Sequence, residues 1–281
     1  MAPMPAVPIK KEELSKWDKL NPDIQHEGRA ITLPADPENM PLDEAIAALA
    51  RKKADEEQEF KVFEIIDAFP HDGAVAFMKA MTDLYGWASP QTVMTFFGPE
   101  PPRMISIKTG PGLSDVVQVP IGAFKLPGVD ELVNTRFWSD DKIGPCFLIH
   151  GEVKKKHRSR ILEIATLTRA YVKAESIYRG KPIRLGVDEN GGLNLNAPPD
   201  FLDVSEMTEE SILFDADIRD QIETNILVPI KATEACRKHK IPLKRGVLLE
   251  GPYGTGKSLT ARLAARVAEE NGWTFILLDR V

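Results

Sequence analysis

Residues 251–258 read Gly-Pro-Tyr-Gly-Thr-Gly-Lys-Ser, the spacing G-x-x-x-x-G-K-[ST] that phosphate chemistry uses. Its glycines let the backbone curl until several N–H groups converge on one centre, a nest for oxyanions. A helix beginning at the loop adds the positive end of its dipole. In such a loop Gly251, Pro252, Tyr253, Gly254, Thr255 and Gly256 wrap a phosphate chain. Lys257 reaches the β- and γ-phosphates, and Ser258 sets its hydroxyl on a magnesium ion.

The octet alone also fits a glycine-rich turn between core elements; its frame makes it specific. Val247, Leu248 and Leu249 form an apolar run of buried-strand type immediately before it. Leu259, Leu263 and Val267 follow at four-residue intervals with Ala264 and Ala268 beside them, which predicts one face of a helix. Asn271-Gly272 stops that helix, and 273–278 reads as a second buried strand. Strand, loop, helix, strand is the order that phosphate binding needs.

Residues 241–268, IPLKRGVLLEGPYGTGKSLTARLAARVA, resemble the AAA family of the AAA+ ATPases. There a helix ending near a proline leads through a basic link to an apolar strand and a loop like GPPGTGKT. Here the preceding helix carries Ile218, Ile222 and Ile226, then Pro229 and a further turn or two to His239. The similarity covers 212–281, about a quarter of the chain. Tyr253 stands where the family has a second proline. The Asp-Ile-Gly-Gly stretch that often lies against adenine is absent, Asp217-Ile218-Arg219 being nearest, so how the base is held stays open.

The resemblance implies ATP and Mg2+ as ligands, Lys257 as the catalytic phosphate-stabilising residue, Ser258 as the metal ligand, and Leu259 near the base. It implies a homo-oligomeric ring, hexameric as in the family, and a protein substrate or adaptor. The family's second acidic motif, its sensor asparagine, arginine finger and pore loop all lie further on than Val281. Phe275–Asp279 is a poor substitute for the acidic motif, because Arg280 follows where a Glu should activate water. The expectation is therefore the front of a longer ATPase, inactive by itself, with the strands at 247–249 and 275–278 lacking their sheet neighbours. A naturally short chain is the alternative.

Composition sets outer bounds. The 281 residues leave room for one large or two ordinary domains. A net charge of −6 argues against a chain built mainly to coat nucleic acid. Cys146 and Cys236 are the only cysteines, which gives no disulfide framework or zinc spacing and suits a reducing cytoplasm. The first residues lack a signal peptide's apolar stretch, and no run of 18 apolar residues suggests a membrane span.

The fold class expected is α/β: an incomplete P-loop NTPase module behind an α+β domain. Residues 1–40, rich in proline and polar groups, read as an extended arm. Residues 41–196 form the α+β domain, 197–211 a linker, and 212–281 the first part of the ATPase. Pro41 begins a helix with Leu42, Ile46 and Leu49 on its inner face, and pairs Lys52–Glu56 and Lys53–Glu57 along its solvated one. Residues 60–66 suit a strand. Asp72 caps a helix bearing Val75, Met78 and Met81 that closes at Gly86. Strands at 104–108 and 116–121 flank the Gly110-Pro111-Gly112 turn, and another strand spans 146–153. A long helix follows at 158–176 with Ile161, Ile164 and Leu167 inward. A hairpin tipped by Asn190-Gly191-Gly192 fits 182–195, and Asn196-Ala197-Pro198-Pro199-Asp200 reads as the link.

Four weaker signals remain. Residues 154–160, KKKHRSR, could contact phosphate or nucleic acid, but no aromatic interleaves them and a solvated strand-to-helix turn is the plainer reading. Tyr178-Arg179-Gly180-Lys181 and the pairs Gly86-Trp87 and Phe96-Phe97 admit a functional turn or docking patch beside ordinary backbone and core roles. His26, His71, His150, His157 and His239 show no metal-ligand pairing. Two functions stand beside remodelling by an AAA-type ATPase: a nucleotide-binding adaptor without hydrolysis, and a DNA-directed motor or loader using the basic cluster.

Overall fold

The computed structural model describes residues 42–86, 89–96, 98–140, 142–187, 197–244 and 246–280. It is a mixed α/β structure with several sheets. Helix α1 (Leu42–Glu56) leads to β1 (Glu59–Ile66) and α2 (Pro70–Tyr85). Short strands β2 (Ser89–Gln91), β3 (Val93–Thr95) and β4 (Gly98–Glu100) precede the hairpin β5 (Arg103–Lys108) and β6 (Val116–Ile121). Strands β7 (Ala123–Lys125), β8 (Leu132–Asp140) and β9 (Gly144–Lys154) then run into α3 (Arg158–Glu175). Strands β10 (Pro182–Val187) and β11 (Asp200–Phe201) precede three short helices, α4 (Ala216–Ile222), α5 (Val228–Lys231) and α6 (Thr233–Lys238). Helix α7 (Lys257–Glu270) and β12 (Phe275–Arg280) complete the order.

The principal sheet has the order β1-β9-β8-β7-β2 and is antiparallel throughout. Helices α2 and α3 cover one face, because their apolar stripes need the same surface. Phe77 on α2 meets Phe124 and Phe147 with ring centroids 5.1 and 5.7 Å apart. All three rings are fully buried, with Ile149, Ile161 and Ile164 around them. The helix comes this close because residue 73 is glycine: a Cβ there would lie 2.4 Å from the Cβ of Phe147.

A second, smaller core joins α4 and α5 to α7, with Ile222, Leu227, Leu263 and Val267 buried together and Phe214, Ile230 and Phe275 packed against them. Between α4 and α5 the backbone widens to a π-turn over Glu223–Leu227. Pro229 lacks the N–H that would bond the carbonyl of residue 225, which explains the local unwinding.

Several expectations change. The stretch 247–249 is not a strand: among the described residues no ladder partner lies beside it, and Leu248 is 88% exposed. The run at 275–278 does form a strand but does not lack a neighbour, since β12 pairs in parallel with β10 over six residues, from Pro182↔Phe275 to Val187↔Arg280. Strand β10 takes β11 on its other edge, so Asp200 and Phe201 of the expected link are sheet residues, and Phe201 sits in the main core. The expected tip at 190–192 and Asn196 lie outside the described residues, as does the arm 1–40.

Asp72 is not the helix cap. Phe69 takes that place with Pro70 in the first turn, and Asp72 lies buried, accepting the Ile177 N–H at 3.0 Å. Its carboxylate thereby satisfies backbone at the point where the chain leaves α3. On α1, Ile46 and Leu49 face solvent, at 58% and 48% exposure. The helix is held instead by polar contacts at its far end: Asp55 with Lys155, and Glu57, just past the helix, with Lys154 and Lys156 rather than Lys53. The other pair foreseen, Lys52–Glu56, is present at 3.8 Å.

Candidate functional site

The glycine loop adopts a conformation that its residues dictate. Gly254 and Gly256 hold φ of +83° and +85°, the left-handed region where a side chain is strained. Gly256 is also the N-cap of α7, so the chain turns directly into the helix at Lys257. A Cβ on Gly256 would stand 3.1 Å from the Phe214 ring, so this position excludes side chains on both counts.

The polar groups of the loop converge. Lys257 Nζ donates to the carbonyl oxygens of Gly251 and Pro252, at 2.7 and 2.6 Å. Thr255 Oγ1 donates to Pro252 O at 2.8 Å, pinning the turn from within. Thr260, almost fully buried, donates its hydroxyl to Gly256 O at 3.0 Å and ties the loop to the first turn of α7. Ser258 and Leu259 are exposed on that turn, and Tyr253 projects wholly into solvent.

Beside the loop lies a cleft of about 600 Å³. One wall is the loop itself, with Gly251, Pro252, Thr255 and Lys257. The other comes from Phe214 just before α4, and from α4 and the π-turn, which bring Ile218, Gln221, Ile222, Asn225 and Ile226. The sequence placed Ile218, Ile222 and Ile226 on one helical face but gave no sign that Phe214, Gln221 and Asn225 join them at the loop. Asn225 Nδ2 is held by Gln221 O at 2.9 Å. Among the described residues Glu250 is the one carboxylate in the cleft wall, while Asp279 sits in the β12 ladder opposite Gly186.

The donor set fits a phosphate chain. Two left-handed glycines, a lysine ammonium held by the carbonyls of Gly251 and Pro252 and more distantly by Thr255 Oγ1, and the N-terminus of a 14-residue helix meet at one place. Among the described residues the ammonium meets only neutral acceptors, which an arriving anion would displace.

The weaker signals resolve structurally. Lys154, Lys155, Lys156 and His157 of the basic cluster engage Glu57, Asp55, Glu57 and Glu131 respectively. The two lysines on Glu57 hold its carboxyl down at about 2. Burial lowers the proton affinity of His71, and of His150, which stacks on Phe63. Among the described residues no group of His, Cys, Asp or Glu could hold a metal ion; His26 lies outside them. Gly180 has φ +66° and donates its N–H to Thr274 Oγ1 at 2.9 Å, so the turn at 178–181 is a backbone junction to the segment after α7. Gly86 closes α2 in the left-handed region, Phe96 is exposed, and Trp87 and Phe97 lie outside the described residues. Among the described residues no helix is long and apolar enough to cross a membrane.

No protein-family model matches the chain, and no curated protein matches it in sequence.

Proposed function

We propose that the loop at 251–258 binds the phosphates of ATP with Mg2+, and that the chain carries the nucleotide-binding part of an AAA-type ATPase that remodels a protein partner from the cytoplasm as a homo-oligomeric ring. The observation that carries the binding step is the convergence of two left-handed glycines, the Lys257 ammonium and the start of α7 on one centre. Lys257 and the loop N–H groups would hold phosphate charge, Ser258 would hold the metal, and Leu259 would lie toward the nucleoside. Bound Mg2+ neutralises charge on the β- and γ-phosphates. The cleft wall of Phe214, Ile218, Gln221 and Asn225 supplies an apolar surface with two side-chain amides, a suitable place for the adenine that the sequence left unassigned.

Titration with a fluorescent ATP analogue tests this. Lys257→Ala removes a charge-assisted contact of roughly 1.5–3 kcal/mol, about ten- to a hundredfold in affinity. Equal affinity of the two proteins would sink the assignment.

A second reading, nucleotide binding without hydrolysis, is favoured by the cleft wall, where Glu250 is the lone carboxylate. These 281 residues are expected to release no phosphate above a Lys257→Ala control. Turnover abolished by Glu250→Gln would identify the carboxylate that activates water. The DNA-directed reading is weakened, because Lys154, Lys155 and Lys156 are each already paired with Glu57 or Asp55.

A further inference from the structure

Helices α2 and α3 cover the side of the principal sheet that carries Val62, Phe147 and Val133. Pleating sends alternate residues to the other side, and the strand register fixes which they are. Phe63 of β1, His150 of β9 and Asn134 of β8 form one row across three strands. Ile65, Leu148 and Arg136 form the next row, and Trp138 stands beyond it, paired with Cys146. Leu148 and Cys146 are buried, whereas Phe63 and Trp138 are 57% and 43% exposed and Arg136 is exposed. This face therefore covers much of its aliphatic surface and presents rings and a guanidinium.

The exposed groups act on one another. The Phe63 and His150 rings lie nearly parallel, 10° apart with centroids at 5.9 Å. Arg136 lies over the Trp138 ring, 4.5 Å from its centroid. Burial, and then the Arg136 charge, lowers the proton affinity of His150, so guanidinium and imidazole share one surface. Among the described residues no carboxylate pairs with Arg136. The charge of the face is also the reverse of the chain's. Among the described residues Lys61, Lys125, Arg136 and Lys154 alternate onto it against Glu59 and Glu152, while the whole chain is −6.

We propose that this face binds single-stranded nucleic acid, with bases stacked on Phe63 and Trp138 and the backbone passing Arg136. A base offers the flat face that such rings take, whatever its sequence, and a phosphate supplies the anion that the unpaired guanidinium lacks. An apolar protein surface would leave Arg136 without a partner, and a duplex keeps its bases inside. From strand spacing and rise, Phe63 and Trp138 stand about 17 Å apart with Arg136 between them, so a free nucleotide reaches only one ring and a strand reaches both. A sheet backed by helices on one side and carrying aromatic residues on the other is a known platform for single strands. The proposal stands whether or not the glycine loop binds nucleotide.

The test is fluorescence anisotropy of the full 281-residue chain with labelled ten-nucleotide oligo-dT and oligo-U. Saturable binding of at least one is expected, and the tighter of the two identifies the sugar. Phe63→Ala and Trp138→Ala should each weaken it about tenfold or more. Arg136→Gln should weaken it and flatten its decline between about 50 and 200 mM salt. Arg136 is exposed, so that variant keeps the test decisive if Trp138→Ala fails to fold. Lys257→Ala should bind the oligonucleotides as the unaltered chain does; loss there would assign the binding to the glycine loop and overturn the proposal. So would the absence of saturable binding, equal affinity for a duplex of the same length, or indifference to both Phe63→Ala and Arg136→Gln.

Discussion

Strand β9 and the stretch 246–250 before the glycine loop both carry an apolar run, yet they end in opposite environments. Phe147 and Ile149 of β9 are fully buried, with β1 on one edge and β8 on the other. Val247, Leu248 and Leu249 are 47%, 88% and 36% exposed, with no strand on either side among the described residues. The difference lies in the neighbours rather than in the residues. A strand's N–H and C=O groups require a ladder, and where none is supplied water takes them and the side chains go with them. Strand β12 makes the same point from the other direction, because it finds its ladder on β10, which belongs to the part of the chain before the loop.

The largest test of this contrast is paired truncation. Phe147→Ala removes a ring from between Phe77 and Phe137 and should cost about 3–5 kcal/mol in urea unfolding. Leu248→Ala should stay within about 0.5 kcal/mol. Similar losses at both positions would break the comparison.

Hydrogen exchange sharpens it. Amides of β12 that enter the β10 ladder should exchange slowly, and those of 247–249 at nearly the unprotected rate. Fast exchange at 276–279 would remove the junction between the two parts.

A smaller effect is expected at the loop. Gly256→Ala places a side chain at φ +85° against Phe214 and should cost roughly 1–3 kcal/mol while weakening the nucleotide analogue. Unchanged stability and affinity would show that the left-handed turn is dispensable.

The subtlest test compares two carboxyls. Burial raises the proton affinity of Asp72, so the folded state holds that proton more tightly than the unfolded one, and stability declines as pH rises from about the ordinary 3.8 through the raised value. Glu57 runs the opposite way. Its lysines lower its proton affinity, so its contribution is full above the ordinary 4.5 and is lost as pH falls toward about 2. Asp72→Asn should flatten the first slope and Glu57→Gln the second, in urea midpoints measured across that range. Added salt should diminish only the Glu57 effect, which is exposed to screening.

The elements legible in the sequence were those that carry their own evidence. The intervals of α3 and α7, the turn between β5 and β6, and Gly86 at the end of α2 are local signals, and the structure agrees with each. Strand β8 went unread because Asn134 and Arg136 interrupt its apolar positions, although they simply occupy the outward side of the pleat. Asp72 misled because a helix cap and a buried acceptor for a distant N–H look alike in one dimension. At the site, the loop was visible as spacing. Phe214, Gln221 and Asn225 were not, because they reach it through the folding of α4 and the π-turn around Pro229.

The β10–β12 ladder has a consequence for the order of assembly during synthesis. Its partners are about ninety residues apart along the chain, and everything from β11 to α7 lies between them. At roughly 5–20 residues per second, ribosomes need about 5–20 s to make that interval. Throughout it, the edge of β10 that will receive β12 is complete but unpaired in the nascent chain. An open strand edge invites pairing with other chains, so the interval between Val187 and Phe275 is when this protein is most exposed to chaperones and to its own neighbours on the polysome.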